Sequence, residues 1–173
     1  MNYNIDIDKI KVAIFDFDGT LAIHQDKNYL NRRKESEEKR LGYYLNAYKN
    51  PDTFYDDIEP CLRSEPLYEL INILRKNNVK MYCLSGMKFS FHLKAKQTFI
   101  NKYYGRDIEA VTAASQELKV DGVKIIKDYN KCNLDEILFV DDIEENIINL
   151  NNIGVKALLI EDVEKIVKKK LHV

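Results

Sequence analysis

Val12-Ala13-Ile14-Phe15-Asp16-Phe17-Asp18-Gly19-Thr20-Leu21 is the stretch that decides how this chain is read. An apolar run rich in strand-forming residues ends at a carboxylate, a second carboxylate follows two residues later, and Gly19-Thr20 supplies a small, flexible turn pair. The pattern is that of a buried strand delivering acids to its mouth. Side chains alternate in extended backbone, so Asp16 and Asp18 start from the same side, with Asp18 past the last ladder hydrogen bond. Two carboxylates this close repel unless a positive charge lies between them, which asks for a divalent cation or a shared proton. Taken alone, an acidic turn after a strand, with Asp18-Gly19 as turn formers, explains the stretch equally well. The rest of the chain has to decide.

Downstream, further strands end in small polar or acidic residues. Val79-Lys80-Met81-Tyr82-Cys83-Leu84 reads as a second buried strand and ends in Ser85-Gly86; Ile137-Leu138-Phe139-Val140 reads as another and ends in Asp141-Asp142. Residues 108–112 and 155–160 complete five strands. Between them, Ser64-Glu65-Pro66 opens a helix that runs inward on Leu67, Leu70, Ile71 and Leu74 to Asn77-Asn78. Further helices are expected over 88–103, 121–131, 143–152 and 161–170. Strands alternating with helices imply right-handed crossovers, hence an α/β fold doubly wound on a mostly parallel five-stranded sheet covered on both faces. Ligands of such sheets bind beyond the carboxyl ends of the strands, where strand order reverses. Asp16 and Asp18, Ser85, and Asp141 with Asp142 all fall at that end, and solvated surface acids would have no reason to choose it.

Residues 24–60 have a different character. The charge run Arg32-Arg33-Lys34-Glu35-Ser36-Glu37-Glu38-Lys39-Arg40 precedes a tyrosine-rich segment, and Leu30, Leu41, Leu45 and Tyr48 recur at spacings compatible with one helical face. This reads as a small helical cap inserted into one domain spanning 1–173. Tyr43, Tyr44 and Tyr48 either line a substrate entrance or pack against the body, and packing is the commoner use of such a cluster.

The bulk numbers narrow the classes of function. A chain of 173 residues buries about 70% of its unfolded surface and needs neither metal nor disulfide merely to fold. Lys and Arg total 27 against 28 Asp and Glu, a net charge of −1, so no overall field indicates nucleic acid or an anionic membrane. Cys61, Cys83 and Cys132 are odd in number and form no CxxC pair, which argues against a disulfide framework and for a reducing compartment. The N-terminus lacks the regions of a signal peptide, and no apolar run reaches membrane-spanning length. A cytoplasmic protein is expected; its oligomeric state is not legible.

In order and type these motifs resemble the haloacid dehalogenase-like (HAD) hydrolase superfamily, in its phosphatase branch. The family's pattern is Asp-x-Asp-Gly-Thr after the first strand, Ser or Thr after the second, a Lys at the start of a later helix, and an acidic pair after the fourth. Here these stand as Asp16-Phe17-Asp18-Gly19-Thr20, Ser85 in Leu84-Ser85-Gly86, Lys119 ahead of Val120-Asp121-Gly122, and Asp141-Asp142. The match runs through the whole core and omits only residues 24–60. The resemblance implies that Asp16 attacks phosphorus and that Asp18 serves as general acid and then base. It implies Mg²⁺ held by the Asp16 carboxylate, the Asp18 backbone carbonyl and Asp142, with Asp141 assisting directly or through water. Ser85, the backbone of Gly86 and Lys119 would bind phosphate oxygens. Lys124 competes with Lys119 for that role, and Ser85 or the acidic pair can serve as plain helix caps. Asn146 stands four residues after Asp142, where some family members carry another acid. His24 lies just past the first motif, where a lone histidine is more often structural.

The expected function is therefore Mg²⁺-dependent hydrolysis of a small-molecule phosphomonoester. The interval from the first strand to Ser85 leaves room for only a small cap, so the site should be rather open, able to accept a nucleotide, a sugar phosphate or a phosphorylated macromolecular end. Two alternatives stand beside it. A receiver-like phospho-aspartate signalling module uses similar residues, but with its acidic pair after the first strand and its acceptor on a later one, the reverse of the order here. A catalytically idle HAD-fold binding protein is the other, and retention of every motif residue weighs against it.

Overall fold

Val12, Ala13, Ile14 and Phe15 are all buried, as expected of a central strand covered on both faces. In the computed structural model, which describes residues 5–25, 58–61, 65–86, 90–113 and 118–171, this strand (β1, Val12–Phe15) lies at the middle of a five-stranded sheet. Its partners are β4 (Lys80–Gly86), β5 (Ile108–Ala113), β6 (Ile137–Asp141) and β7 (Lys156–Leu159), in the order β5-β4-β1-β6-β7. Every pairing is parallel. The chain builds outward from β1 through β4 to β5, then crosses to β6 and β7, so the reversal of strand order falls at β1.

Alternation along the strands divides the core in two. Ala13, Phe15, Met81, Cys83, Leu138, Val140 and Leu158 face one layer, where Leu67, Leu70, Ile71 and Leu74 of α1 (Glu65–Lys76), Phe99 and Ile100 of α2 (Ser90–Tyr103), and Val163, Ile166 and Val167 of α5 (Val163–Leu171) pack. Val12, Ile14, Tyr82, Leu84, Ile137, Phe139 and Ala157 face the other, against Val123 and Ile126 of α3 (Lys119–Asn130) and Ile147 and Leu150 of α4 (Glu144–Asn152). Each such fully buried aliphatic side chain contributes roughly 1.5–3 kcal/mol over its exposed state.

The register carries the sheet's functional consequence. Phe15 pairs with Cys83 on one side and Val140 on the other, and the Asp16 amide donates to the Val140 carbonyl at 2.9 Å. One residue further, Asp16 is therefore level with Asp141, and Ser85 lies one step beyond on β4.

Two boundaries differ from the expectation. β4 runs on through Ser85 and Gly86, which pair with Thr112 and Ala113, so Ser85 belongs to the strand. α3 begins at Lys119, not at Asp121. Asp121-Gly122 has the look of a turn, but Gly122 lies inside the helix, where a Cβ would sit 3.0 Å from Leu84 Cδ1 and Cδ2: the glycine lets α3 approach β4 closely.

A two-stranded antiparallel ribbon, β2 (Ala22–His24) with β3 (Ile58–Pro60), was not anticipated. It stands directly after the first motif and brackets residues 26–57, where the expected helical cap lies outside the described residues. The Tyr104 hydroxyl ties the ribbon's base to the body, donating to the Leu21 carbonyl at 2.6 Å and accepting from the Cys61 amide at 3.3 Å.

Candidate active site

The loop after β1 makes the first turn of the site. Gly19 adopts φ +91°, a conformation that costs little for glycine alone, and its amide donates to the Ala22 carbonyl at 2.7 Å. This folds Asp18 back over the mouth of the sheet and brings Gly19 against Asp142, whose Oδ2 lies only 2.2 Å from where a Cβ would stand.

Asp16 is buried at the floor, with one carboxylate oxygen of Asp16, of Asp141 and of Asp142 all within 4.8 Å of one another. Lys119, also buried, reaches between the first two: its Nζ is 2.9 Å from Asp16 Oδ1 and 2.8 Å from Asp141 Oδ2. Asp141 is further held by the Ile143 amide on Oδ1 at 2.8 Å and by Asn146 Nδ2 on Oδ2 at 3.0 Å. Asn146 thus stands where a further acid was in question and orients Asp141 by donating to it. Lys124, the competing lysine, is exposed and among the described residues pairs with Asp121, at 3.5 Å.

A second cation completes the other wall. Lys96, projecting from α2, donates from Nζ to Asp18 Oδ2 at 2.7 Å and to Ser85 Oγ at 2.7 Å, over the Phe17 ring with its Nζ 4.7 Å from the centroid. His24 Nε2 lies 3.1 Å from Asp18 Oδ1. Gly86 closes β4 beside Ser85, half-buried.

Burial raises the Asp16 carboxyl above its ordinary value, and the neighbouring acids Asp141 and Asp18 add to this against the opposing Lys119 ammonium. For Lys119, burial works against the charge, but Asp16 and Asp141 outweigh it and hold the ammonium above its usual range. Burial would likewise raise Asp18; the Lys96 charge and the His24 contact overcome it and hold the carboxyl well below the usual range.

The residues fit a hard divalent cation. Asp16 Oδ2 is buried with no hydrogen bond among the described residues, one ammonium faces several acids, and the converging donors are all carboxylate oxygens. Asp141 has both oxygens engaged by protein donors, so Asp16 and Asp142 are the better placed to hold the ion.

No protein-family model and no curated protein matches the chain in sequence. Solved structures do match its backbone. A HAD family enzyme from Bacteroides thetaiotaomicron, in its magnesium complex, covers 87% of this chain and 93% of its own at 16% identity and TM-score 0.57. A HAD-superfamily hydrolase from Ehrlichia chaffeensis covers 94% and 98% at 15% identity and TM-score 0.56. A phosphoserine phosphatase, as an analogue of its phospho-aspartyl intermediate, covers 93% and 90% at 19% identity and TM-score 0.51. The chain has the HAD-like fold. At these identities the likeness is one of fold, and roles must be argued from the residues themselves.

Within this HAD-like fold, Asp16, Asp18, Ser85, Lys119, Asp141 and Asp142 surround the C-terminal mouth of β1, β4 and β6. Two further members escaped sequence reasoning. His24, a lone histidine in the sequence with no motif around it, meets Asp18. Lys96 stands inside a helix and in no motif, and its one sequence signal is position: it lies three residues after Leu93 and four before Ile100, on the apolar stripe where a lysine is out of place. Among the described residues no helix is long and apolar enough to cross a membrane.

Proposed function

We propose that the chain is a Mg²⁺-dependent phosphomonoester hydrolase acting through an aspartyl-phosphate on Asp16, with a small-molecule phosphate ester as substrate. The observation that carries this reading is the convergence of the Asp16, Asp141 and Asp142 carboxylates at the sheet's switch point, with one buried lysine to offset them. The fold comparison supports it: a Bacteroides thetaiotaomicron structure of this fold is a complex with magnesium and inorganic phosphate.

Asp16, fixed at the end of β1, attacks phosphorus in line; the P–O ester bond breaks and the departing oxygen takes its proton from Asp18. In the second half Asp18 accepts a proton from water, the water oxygen bonds to phosphorus, and the bond to Asp16 breaks, releasing inorganic phosphate. Asp18 is held ionised by Lys96 and His24 at rest, which suits the base step; a phosphate dianion beside it favours the protonated form that the acid step requires. Ser85 and Lys119 bind the non-bridging oxygens. Asp16, the Asp18 carbonyl and Asp142, with Asp141 behind them, would hold Mg²⁺, which would supply charge neutralisation at the phosphoryl group.

Steady-state hydrolysis of an aryl phosphate tests the proposal. Turnover that requires Mg²⁺, stops with a chelator and is lost in Asp16→Asn is expected; a stable phosphoprotein without turnover would instead favour the signalling module.

A further inference from the structure

Lys96 is only 2% exposed, and burying an ammonium is costly unless its partners compensate. Its helix is already seated by Leu93, Phe99 and Ile100, so packing does not explain a lysine at this position. Two of its three donors are engaged, one by a carboxylate and one by a neutral hydroxyl. Ser85 Oγ accepts from Lys96, which leaves the hydroxyl proton to be donated elsewhere. Lys119 differs in that it serves two carboxylates and no neutral group.

Charge balance points the same way. The carboxylates of Asp16, Asp18, Asp141 and Asp142 would be offset to formal neutrality by the two buried ammoniums together with one bound divalent cation. Without Lys96 the site is negative before any substrate arrives, and a phosphate dianion would be repelled.

We propose that Lys96 is a second phosphate-binding cation, acting with Ser85 Oγ to grip the phosphoryl oxygens on the side of the site opposite Lys119. The assignment rests on the phosphomonoester reading above. In it, Lys96 parks on Asp18 and Ser85 in the resting protein and turns its ammonium to the phosphate when one is bound, an exchange of one anionic partner for another within reach of the same side chain.

The test is binding of inorganic phosphate in the presence of Mg²⁺, by calorimetry, to the wild-type protein, Lys96→Met and Lys96→Arg, alongside kcat and KM for an aryl phosphate. Phosphate should bind Lys96→Met at least about tenfold more weakly, with KM raised, while Lys96→Arg recovers most of the affinity. Mg²⁺ affinity without phosphate should be unchanged or tighter in Lys96→Met. Phosphate bound by Lys96→Met as tightly as by a wild-type protein that turns over would overturn the assignment and leave the hydrolase reading standing. A wild-type protein that neither turns over nor binds phosphate would overturn both. Should Lys96→Met fail to fold, the ammonium resonance of Lys96 in the wild-type protein decides: it shifts on addition of inorganic phosphate, and an unmoved signal would refute the role.

Discussion

Gly19→Ala is the sharpest perturbation of the site, and Gly154→Ala is its natural control. Both glycines have positive φ, +91° and +99°, so an alanine at either costs about 1–2 kcal/mol of backbone strain. They differ in surroundings. At Gly154 the nearest atom to a new Cβ is Leu134 Cβ at 4.0 Å, an ordinary contact; at Gly19 it is Asp142 Oδ2 at 2.2 Å, with Cγ at 2.6 Å. The Asp142 carboxylate must swing away, and with it the outer wall of the proposed Mg²⁺ site. Each variant should therefore lose about 2–8 °C in Tm without metal. At Mg²⁺ a hundredfold above Kd, the ion stabilises the wild-type protein and Gly154→Ala by about 2.7 kcal/mol, roughly 5–11 °C. Weakening of Mg²⁺ binding by about a hundredfold in Gly19→Ala would cut this to about 0.4 kcal/mol, roughly 1–2 °C. Thermal unfolding with and without Mg²⁺ reads both quantities. A Gly19→Ala protein that keeps the full Mg²⁺-induced shift would refute the placement of Asp142 at the metal.

Lys119→Met leaves Asp16 and Asp141 buried without their shared cation, and should cost about 3–5 kcal/mol in urea unfolding, with Mg²⁺ restoring more stability than it adds to the wild type. Asp16→Asn and Asp18→Asn should have opposite effects on the metal-free protein at neutral pH. Asp16, raised in the fold, imposes a cost that appears as pH climbs past the ordinary value of ~3.9, so Asn stabilises. Asp18, lowered in the fold, contributes stability present above ~3.9 and lost as pH falls, so Asn destabilises; chemical unfolding across pH checks both signs. For His92, burial chiefly, with the Lys96 charge, lowers the imidazole to about 4. The unfolded chain then takes up this proton first, and stability should fall as pH drops from ~6.5 toward about 4, a limb that His92→Gln should flatten.

The parts of this molecule that were legible in the sequence are those where a local pattern and a global requirement coincide. β1 could be read because a short run of strand-forming apolar residues stops at a turn pair, the pattern of a strand covered on both faces, and Asp16, Asp141 and Asp142 because acids follow directly on such runs. The sheet then brings them together through register alone, with Phe15 aligned to Val140. What escaped depends on contacts between distant segments. β2 and β3 are three residues each, too short for periodicity, and pair across a long insertion. The start of α3 is hidden because Asp121-Gly122 has turn chemistry, whereas in the fold Gly122 lies within the helix, close against Leu84. Lys96 and His24 reach Asp18 from α2 and β2, and no motif joins those elements; only the misplaced charge in the apolar stripe of α2 marked one of them.

Pre-steady-state hydrolysis of p-nitrophenyl phosphate by Asp18→Asn bears most directly on the covalent route. Its phenolate departs with little help from an acid, so the first step survives the substitution while release of phosphate, which needs a base, is slowed. Nitrophenolate should appear in a burst approaching the enzyme concentration, with the phosphoryl group recovered on Asp16. A wild-type enzyme that turns over, beside a variant that shows no burst or carries its phosphate on another residue, would contradict the account.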